Sequence, residues 1–200
     1  MSTYRSATYV PALVQDALAL AERMGFAHSC LEEVGRLLRV LASSVRDGVI
    51  GEIGAGTGVA AAWMVSDLAP AAHFVTVELD GPRATAVQQL LQPVPNARVI
   101  QGDWHNILEH GPFDLLFVDA APAKASPGEG VNREMERIVR AMRIGGVIVM
   151  DDLSPEEYWP EEWRGRPDPV RKVWLNDARL TATEVLTTPR TTAILATRLS

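Results

Sequence analysis

The sequence is poor in cysteine and contains no long apolar run. Its 200 residues include one cysteine, Cys30, which excludes an internal disulfide and a cysteine-based zinc site. No apolar run in the sequence approaches the roughly 20 residues needed to cross a bilayer. Residues 1–5 lack the apolar core of a signal peptide. We therefore expect a cytoplasmic protein that does not enter a membrane.

Basic residues are also in the minority. The chain has 19 Lys and Arg against 25 Asp and Glu, which gives a formal net charge of −6. A general nucleic-acid binder needs a basic face that releases counterions from the phosphate backbone, so nucleic acid is not an expected partner. The length suits one domain with a core of its own, which we assign to residues 1–200.

The most informative stretch is Val-Ile-Gly-Glu-Ile-Gly-Ala-Gly-Thr-Gly-Val at residues 49–59. It begins like a buried strand and ends with Gly54, Gly56 and Gly58, after which an apolar helical segment follows. Glycine adopts positive φ and lets the backbone approach a ligand closely. A strand, a glycine turn and a helix in this order favour a nucleotide-sized pocket, although tight turns collect glycine as well.

The order of apolar segments predicts an α/β fold. Helical spacing predicts two helices ahead of the first strand, within an N-terminal cap of residues 1–47. Five short apolar strands then alternate with helices, which is typical of a parallel sheet covered on both faces. Two late β-like runs with no helix between them should pair antiparallel at the sheet edge. The predicted strands are 49–53, 73–77, 97–101, 113–118, 147–150, 181–186 and 191–197, and the predicted helices are 11–24, 31–45, 59–68, 82–91 and 132–142, the last capped by Gly145 and Gly146.

The parallel strands end at the glycine turn or at an acidic residue. Open α/β sheets bind ligands outside the carboxyl ends of their strands. One acid there could simply cap a turn, but several beside a glycine turn indicate a binding site. The acids that follow the second to fifth strands are Glu78, Asp103, Asp119 and Asp151.

These positions suit a nucleoside that carries positive charge. Glu78 can accept the ribose hydroxyls, Asp103 can accept from an adenine amine, and Trp104 offers either a flat face for the base or a core side chain. A dinucleotide would want a third glycine at position 59, where the chain has Val59. An acidic rim favours a cationic ligand without phosphate, such as S-adenosylmethionine.

The segment from Glu52 to Gly58 resembles the first motif of class I S-adenosylmethionine-dependent methyltransferases, and the acids follow in the same order. The chain from about residue 29 onward resembles the catechol and caffeoyl-CoA O-methyltransferase family. Phe-Asp-Leu-Leu-Phe-Val-Asp, followed later by Gly-Gly-Val-Ile-Val-Met-Asp-Asp, is the most specific part. The resemblance implies a single-domain Rossmann-like methyltransferase fold, with a mostly parallel seven-stranded sheet, an antiparallel edge pair and two N-terminal helices.

Carried over by position, the resemblance implies methyl transfer from S-adenosylmethionine to an oxygen of a small-molecule acceptor. It implies that the three glycines of the turn line the methionine end of the cofactor. The cofactor-binding residues it implies are Glu52, Gly54, Gly56, Gly58, Glu78, Leu79, Asp103, Trp104 and Asp119.

The resemblance also implies a divalent cation, Mg²⁺, Mn²⁺ or Ca²⁺, bound by Asp119, Asp151 and Asp152 and holding two vicinal acceptor oxygens. Two departures affect this expectation. Asp152 stands where the family usually has Asn, and Pro122 stands where it has a lysine thought to act as general base. Lys124, two residues later, could replace that lysine or be a solvated surface residue. We take Asp119 and Lys124 as the candidate catalytic residues.

Residues 153–169 are rich in proline, aromatic and acidic residues and follow the proposed metal site directly. Such a segment predicts a lid or an acceptor loop, or else a surface flap. Arg164, Arg166 and Arg171 could meet an anionic acceptor or could pair with neighbouring acids. We also expect a homodimer, because the apolar face of the first helix could form an interface if it does not pack on the core.

Other functions remain open at this point. An enzyme that modifies RNA could use the same fold, but the acidic balance counts against it. A dinucleotide-dependent oxidoreductase is disfavoured by Val59. A binding protein that holds the cofactor without turnover stays compatible with the missing lysine.

Overall fold

The computed structural model describes residues 9–124 and 130–200. Two helices, α1 (Ala12–Arg23) and α2 (Glu32–Ser44), precede the first strand, as the spacing of apolar residues predicted. The remaining elements, in chain order, are β1 (Asp47–Ile53), α3 (Val59–Val65), β2 (Ala71–Glu78), α4 (Gly81–Leu90), β3 (Ala97–Gln101), β4 (Phe113–Val118), α5 (Ala121–Lys124), α6 (Gly130–Ala141), β5 (Met142–Leu153), α7 (Pro169–Trp174), β6 (Leu180–Thr188) and β7 (Thr191–Arg198).

The strands of the described chain form one seven-stranded sheet with the order β3-β2-β1-β4-β5-β7-β6. Strands β1 to β5 run parallel to one another, whereas β7 is antiparallel to both β5 and β6. The parallel strands are apolar along most of their length because helices cover both faces of the sheet. The predicted Rossmann-like fold with an antiparallel edge pair is therefore confirmed.

The N-terminal helices pack on one face through Trp63 of α3. A Cβ atom at Gly35 of α2 would lie 2.2 Å from Cδ1 of this tryptophan, so glycine permits the close approach of the two helices. Val14 and Ala17 of α1 are buried in the same cluster. The buried face of α1 is thus core, which is one of the two uses predicted for it. No helix in the described ranges is long and apolar enough to cross a bilayer.

Helices α6 and α7 cover the other face of the sheet. Ile138 of α6 and Trp174 of α7 are fully buried there, in one cluster with Phe113 and Leu116 of β4. This cluster holds β5 and the edge pair against the parallel strands. The carboxyl ends of β1, β2 and β4 lie side by side, because β2 and β4 both pair with β1 in parallel, and the site described below is built there.

Several local predictions are wrong. Gly145 and Gly146 do not cap α6, because β5 begins at Met142, and both glycines lie within this strand. They permit a bulge where the pairing of β4 with β5 shifts register, and a Cβ at Gly146 would lie 2.6 Å from the carbonyl oxygen of Phe113. Helices α5 and α7 and a 3₁₀ helix at Trp104–His110 lie where the sequence analysis predicted no helix or strand. Helix α3 ends at Val65, three residues before the predicted end.

Candidate functional site

The glycine turn after β1 requires its glycines. Gly54, Gly56 and Gly58 have φ values of +96°, +55° and +83°, a region that residues with a Cβ rarely adopt. A Cβ at Gly54 would lie 3.1 Å from the carbonyl oxygen of Asp119, and one at Gly56 would lie 2.9 Å from the ring of Phe26. The turn therefore brings bare backbone to the carboxyl end of the sheet and opens α3 directly behind it.

A cavity of about 270 Å³ lies above this turn. Its lining brings together most of the residues that the sequence predicted for a cofactor, and it adds the joint between α1 and α2. Glu52, Gly58, Asp151 and Lys124 are not part of the lining. The predicted residues that line it are Gly54, Gly56, Glu78, Leu79, Asp103, Trp104, Asp119 and Asp152, and the others used below are Phe26, Ser29, Cys30 and Arg83.

Glu78, predicted to hold the ribose, accepts three hydrogen bonds at Oε1 and one at Oε2. The backbone N–H groups of Gly56 and Asp80 donate to its two oxygens at 2.8 and 2.9 Å. The guanidinium of Arg83 donates to Oε1 through Nη2 at 2.8 Å and Nε at 3.2 Å. Glu78 thus links the glycine turn to the first turn of α4.

The sequence analysis missed Arg83 and Phe26. Arg83 lies over the Phe26 ring at 5.3 Å from its centroid, and both residues line the cavity. The spacing from Glu78 to Arg83 could have been noticed, because Gly81–Leu90 is a helix whose first turn faces the end of β2. Nothing in the sequence places Phe26 against the glycine turn.

Asp103 and Trp104 lie at the opposite end of the cavity. Asp103 caps the 3₁₀ helix by accepting from the backbone N–H of His105 at 2.9 Å, and this hydrogen bond holds the pKa of the Asp103 carboxyl below its usual value. The carboxyl also contacts Nδ1 of His105. The Trp104 and His105 rings stack with their centroids 3.9 Å apart. Asp103 and Trp104 line the cavity, and His105, which does not, packs against the Trp104 ring.

Lys124 lies between two of the predicted metal ligands. Its Nζ is 3.2 Å from Oδ1 of Asp119 and 3.2 Å from Oδ2 of Asp152. The side chains of Lys124 and Asp119 are 11% and 18% exposed, whereas that of Asp152 is 74% exposed. Lys124 is therefore no solvated surface residue, and its ammonium faces the carboxylates at the edge of the cavity.

Burial perturbs the acids at this edge. It raises the pKa of Asp119 to about 7, although the Lys124 ammonium opposes the rise. It raises the pKa of Asp151 to about 6, and Oδ1 of this residue is buried without a hydrogen-bond partner among the described residues. Asp152 has a φ of +59°, a strained value for a non-glycine residue. Strained backbone and perturbed acidity often occur at functional sites, so we take this edge as a candidate reaction centre.

The donor set does not fit a divalent cation in this arrangement. Within residues 9–124 and 130–200 there is no group of three or more His, Cys, Asp or Glu side chains placed to hold a metal ion. The Lys124 ammonium lies between Asp119 and Asp152, where the resemblance implied the cation. The positive charge at this position comes from the chain itself.

Glu52 lies beneath the glycine turn and is fully buried. Its Oε2 accepts a hydrogen bond from Oγ1 of Thr76 at 2.6 Å, and its Oε1 has no partner among the described residues. Burial raises the pKa of Glu52 to about 8, so this acid is protonated at neutral pH. It supports the turn from below and has no surface on the cavity.

A second cavity, of about 490 Å³, lies beside the first. Asp152 lines both cavities, and the rest of the second lining comes from residues 153–171. The segment predicted as a lid or acceptor loop thus surrounds a space of its own. Nε1 of Trp159 donates to the Ser154 carbonyl at 2.8 Å, which closes this segment on itself.

Comparisons with known proteins agree with this geometry. Residues 52–153 match the protein family described as "Methyltransferase domain" (Methyltransf_24). A protein of Mycobacterium tuberculosis named "Probable O-methyltransferase" is 28% identical over 126 residues, covering 58% of this chain and 53% of that protein. The chain therefore spans about half the length of the curated relatives it matches.

Two solved structures share the fold over nearly the whole chain. The O-methyltransferase TomG of Streptomyces achromogenes, involved in tomaymycin synthesis and solved in complex with SAM, has a TM-score of 0.77 and 20% identity over 96% of this chain and 92% of that one. The O-methyltransferase of Bacillus cereus, solved in complex with SAH, has a TM-score of 0.76 and 20% identity over 95% and 92%. These similarities establish the fold.

Proposed function

Because the chain belongs to the methyltransferase-domain family, we propose that it transfers a methyl group from S-adenosylmethionine to an oxygen of a small-molecule acceptor. The cavity at the strand ends carries the proposal, since a glycine turn there faces a rim of carboxylates. The cofactor bears a sulfonium and an ammonium, so Glu78, Asp119 and Asp152 suit its charge. The names of the relatives support oxygen as the methylated atom.

Gly54 and Gly56, where the backbone is bare, would hold the methionine end of the cofactor. Glu78 would hold its ribose, and Asp103 and Trp104 would flank its base. The exposed Leu79 would add an apolar surface to this part of the cavity. Asp119 would lie at the end of the cavity where the methyl group is transferred.

The reaction is a displacement at carbon. The acceptor oxygen forms a bond to the methyl carbon while the bond from that carbon to sulfur breaks, and its electron pair stays on sulfur in S-adenosylhomocysteine. The hydroxyl proton of the acceptor passes to a base of the protein. Holding oxygen, carbon and sulfur in line supplies most of the acceleration.

We assign the proton and the charge to Asp119 and Lys124. A carboxylate whose pKa lies at about 7 can accept a proton near neutral pH. The Lys124 ammonium, 3.2 Å from Asp119, stabilises negative charge on the acceptor oxygen. No step needs a metal ion, because Lys124 provides the positive charge that the resemblance assigned to one.

Two further segments of the chain would cover the site. Phe26, Ser29 and Cys30 line the cavity, which supports residues 1–47 as a cap over the cofactor, residues 1–8 lying outside the described ranges. The second cavity supports residues 153–169 as the acceptor loop. A homodimer and a cytoplasmic location stay predictions.

Calorimetry tests the cofactor. We expect S-adenosylhomocysteine to bind and NADH not to bind under the same conditions. Gly56→Ala should abolish binding, because its Cβ would press on Phe26. Gly25→Ala is the control, since Gly25 also has a positive φ, +61°, but a Cβ there meets nothing within 4 Å. Binding of NADH alone would refute the proposal.

The two lysines of the chain test the assignment of charge. Lys124→Ala should lower the formation of S-adenosylhomocysteine by about 100-fold or more, because it removes the stabilising charge. Lys172→Ala, at an exposed lysine, should leave it unchanged. Wild-type turnover should persist in excess EDTA. Turnover that stops in EDTA and returns with Mg²⁺ would show that Lys124 does not take the place of a cation.

A further inference from the structure

We propose that His105, which does not line the cofactor cavity, positions Asp103 so that the site prefers a purine with an exocyclic amine over one with an oxo group. The inference rests on the proposed function and adds to it the base specificity of the site and the residue that maintains it. The observation behind it is a series of contacts that runs from the cavity through His105 to Glu134 and Arg137 of α6.

Asp103 uses one carboxylate oxygen to bind His105 and leaves the other for a ligand. The backbone N–H of His105 donates to Oδ1 at 2.9 Å, and Nδ1 of the same residue contacts this oxygen as well. Within residues 9–124 and 130–200, Oδ2 has no hydrogen-bond partner. The Asp103 side chain is 58% exposed and lines the cavity. Its carboxylate is thus held at one oxygen and can accept a hydrogen bond at the other.

The partners of the imidazole determine which of its nitrogens carries the proton. Nε2 of His105 contacts Nη1 of Arg137. A guanidinium can only donate, so the neutral imidazole accepts at Nε2. Its proton is then on Nδ1, where the ionised carboxylate of Asp103 can only accept. The two partners of the ring therefore favour the same tautomer, in which His105 donates to Asp103.

Glu134 serves the other protonation state of the ring. Its carboxylate lies 3.2 Å from Nε2 of His105 and 3.1 Å from Nη1 of Arg137, and its side chain is 10% exposed. If the imidazole gains a second proton, Nε2–H donates to Glu134, and Arg137 keeps its ion pair with the same carboxylate. Nδ1 carries a proton in both states. The hydrogen bond to Asp103 consequently persists whether or not Nε2 is protonated.

The second contact of His105 is with Trp104. The two rings stack, and Trp104 is almost completely buried at the wall of the cavity. Asp103 and Trp104 are the residues that would flank the base, so His105 supports both of them. An amine on the base donates to a carboxylate oxygen, whereas an oxo group meets that oxygen as a second acceptor. Adenine and hypoxanthine differ in this group but share one ring system, so stacking alone does not distinguish them.

Calorimetry with S-adenosylhomocysteine and S-inosylhomocysteine, which carries hypoxanthine, tests this inference. We expect wild type to bind the adenine compound about tenfold more tightly, or better. His105→Asn keeps a donor near the position of Nδ1 and removes the ring, whereas His105→Phe keeps a ring for Trp104 and removes the donor. The preference should survive in His105→Asn and fall to about threefold or less in His105→Phe. His73→Phe, at an exposed histidine of β2, is the control and should keep the preference.

NMR of ¹⁵N-labelled protein gives a second readout that needs no ligand. Imidazole nitrogens with and without a proton resonate at different ¹⁵N shifts, and the loss of a signal in His105→Asn assigns the ring. We expect Nδ1 of His105 to be protonated. A deprotonated Nδ1 overturns the inference, and this result stands whether or not His105→Phe folds.

The outcomes of the calorimetry separate this inference from the proposed function. Equal affinity of wild type for the two compounds, an unchanged preference in His105→Phe, or a preference lost in His105→Asn overturns the role of His105. Binding of S-adenosylhomocysteine would still support the methyltransferase in each of these cases. Failure of wild type to bind either compound overturns the proposed function itself, and this inference with it.

Discussion

Replacing the buried acid beneath the glycine turn should change how the stability of the protein depends on pH. Burial raises the pKa of Glu52 from an ordinary 4.5 to about 8. Between these two values the folded protein keeps a proton that the unfolded chain releases. The free energy of unfolding therefore falls as pH rises through this window, because each unit of pH favours the unfolded state.

The magnitude follows from the width of that window. One pKa unit corresponds to about 1.4 kcal/mol, so Glu52 costs the folded state about 1 kcal/mol at pH 5 and about 4 kcal/mol at pH 8. Glu52→Gln removes the titration and keeps an oxygen for the hydroxyl of Thr76. Relative to wild type, the variant should gain about 3 kcal/mol between pH 5 and pH 8.

Urea unfolding at a series of pH values measures this gain. The quantity compared is the difference in the free energy of unfolding between variant and wild type, followed as pH changes. A steric cost of the amide is the same at every pH, so it does not affect this change. Glu22→Gln, at an exposed site on α1, is the control and should follow wild type throughout. Curves for wild type and Glu52→Gln that stay parallel from pH 5 to pH 8 would refute the reasoning, since Glu52 would then not hold the proton.

Three further experiments test the packing. Gly58→Ala and Gly145→Ala place alanine at nearly equal φ values, +83° and +84°, but only the Cβ at position 58 meets a neighbour, Leu90 at 2.9 Å. Gly58→Ala should therefore lower the free energy of unfolding by at least about 1 kcal/mol more than Gly145→Ala. Equal losses in urea unfolding would contradict this. Trp174→Ala should lower the free energy of unfolding by about 3–5 kcal/mol, because Trp174 is fully buried, whereas Trp163→Ala, at an exposed residue, should change it little. A small loss for Trp174→Ala in thermal unfolding would mean that neighbouring side chains fill the space left by the ring. Arg171→Met leaves Asp168 and Glu184 unpaired, and limited proteolysis should then cut within residues 153–169; an uncut segment would show that other contacts hold it.

Much of the fold could be predicted because its signals are local. The run from Val49 to Val59 contains a strand, a turn and the start of a helix within eleven residues. Each glycine of the turn is required by the positive φ at its own position. Helix α7 also has a local signal, since Asp168 caps it and Pro169 opens it, but the proline-rich segment before it masked the pattern. Gly145 and Gly146 were misread because a bulge depends on the partner strand.

The site was only partly predictable, because some of its contacts join segments that are distant in the sequence. The acids that follow the parallel strands lie at the same edge of the sheet, because parallel strands end there. The order of strands in the sequence is enough to predict this. The position of Lys124 between Asp119 and Asp152 depends on how α5 turns, and no spacing in the sequence records it. Likewise, the pairing of Arg171 distinguishes it from Arg166 only after β6 brings Glu184 near.

The hydrogen bonds of Glu78 hold its carboxylate ready for a ribose. Arg83 and the Asp80 N–H group occupy Oε1, whereas Oε2 accepts only from the Gly56 N–H group, so a ribose hydroxyl can bind Oε2 without displacing the guanidinium. Because the guanidinium fixes the carboxylate before the cofactor arrives, little side-chain freedom is lost on binding. An Arg83→Leu variant should therefore bind S-adenosylhomocysteine more weakly than wild type.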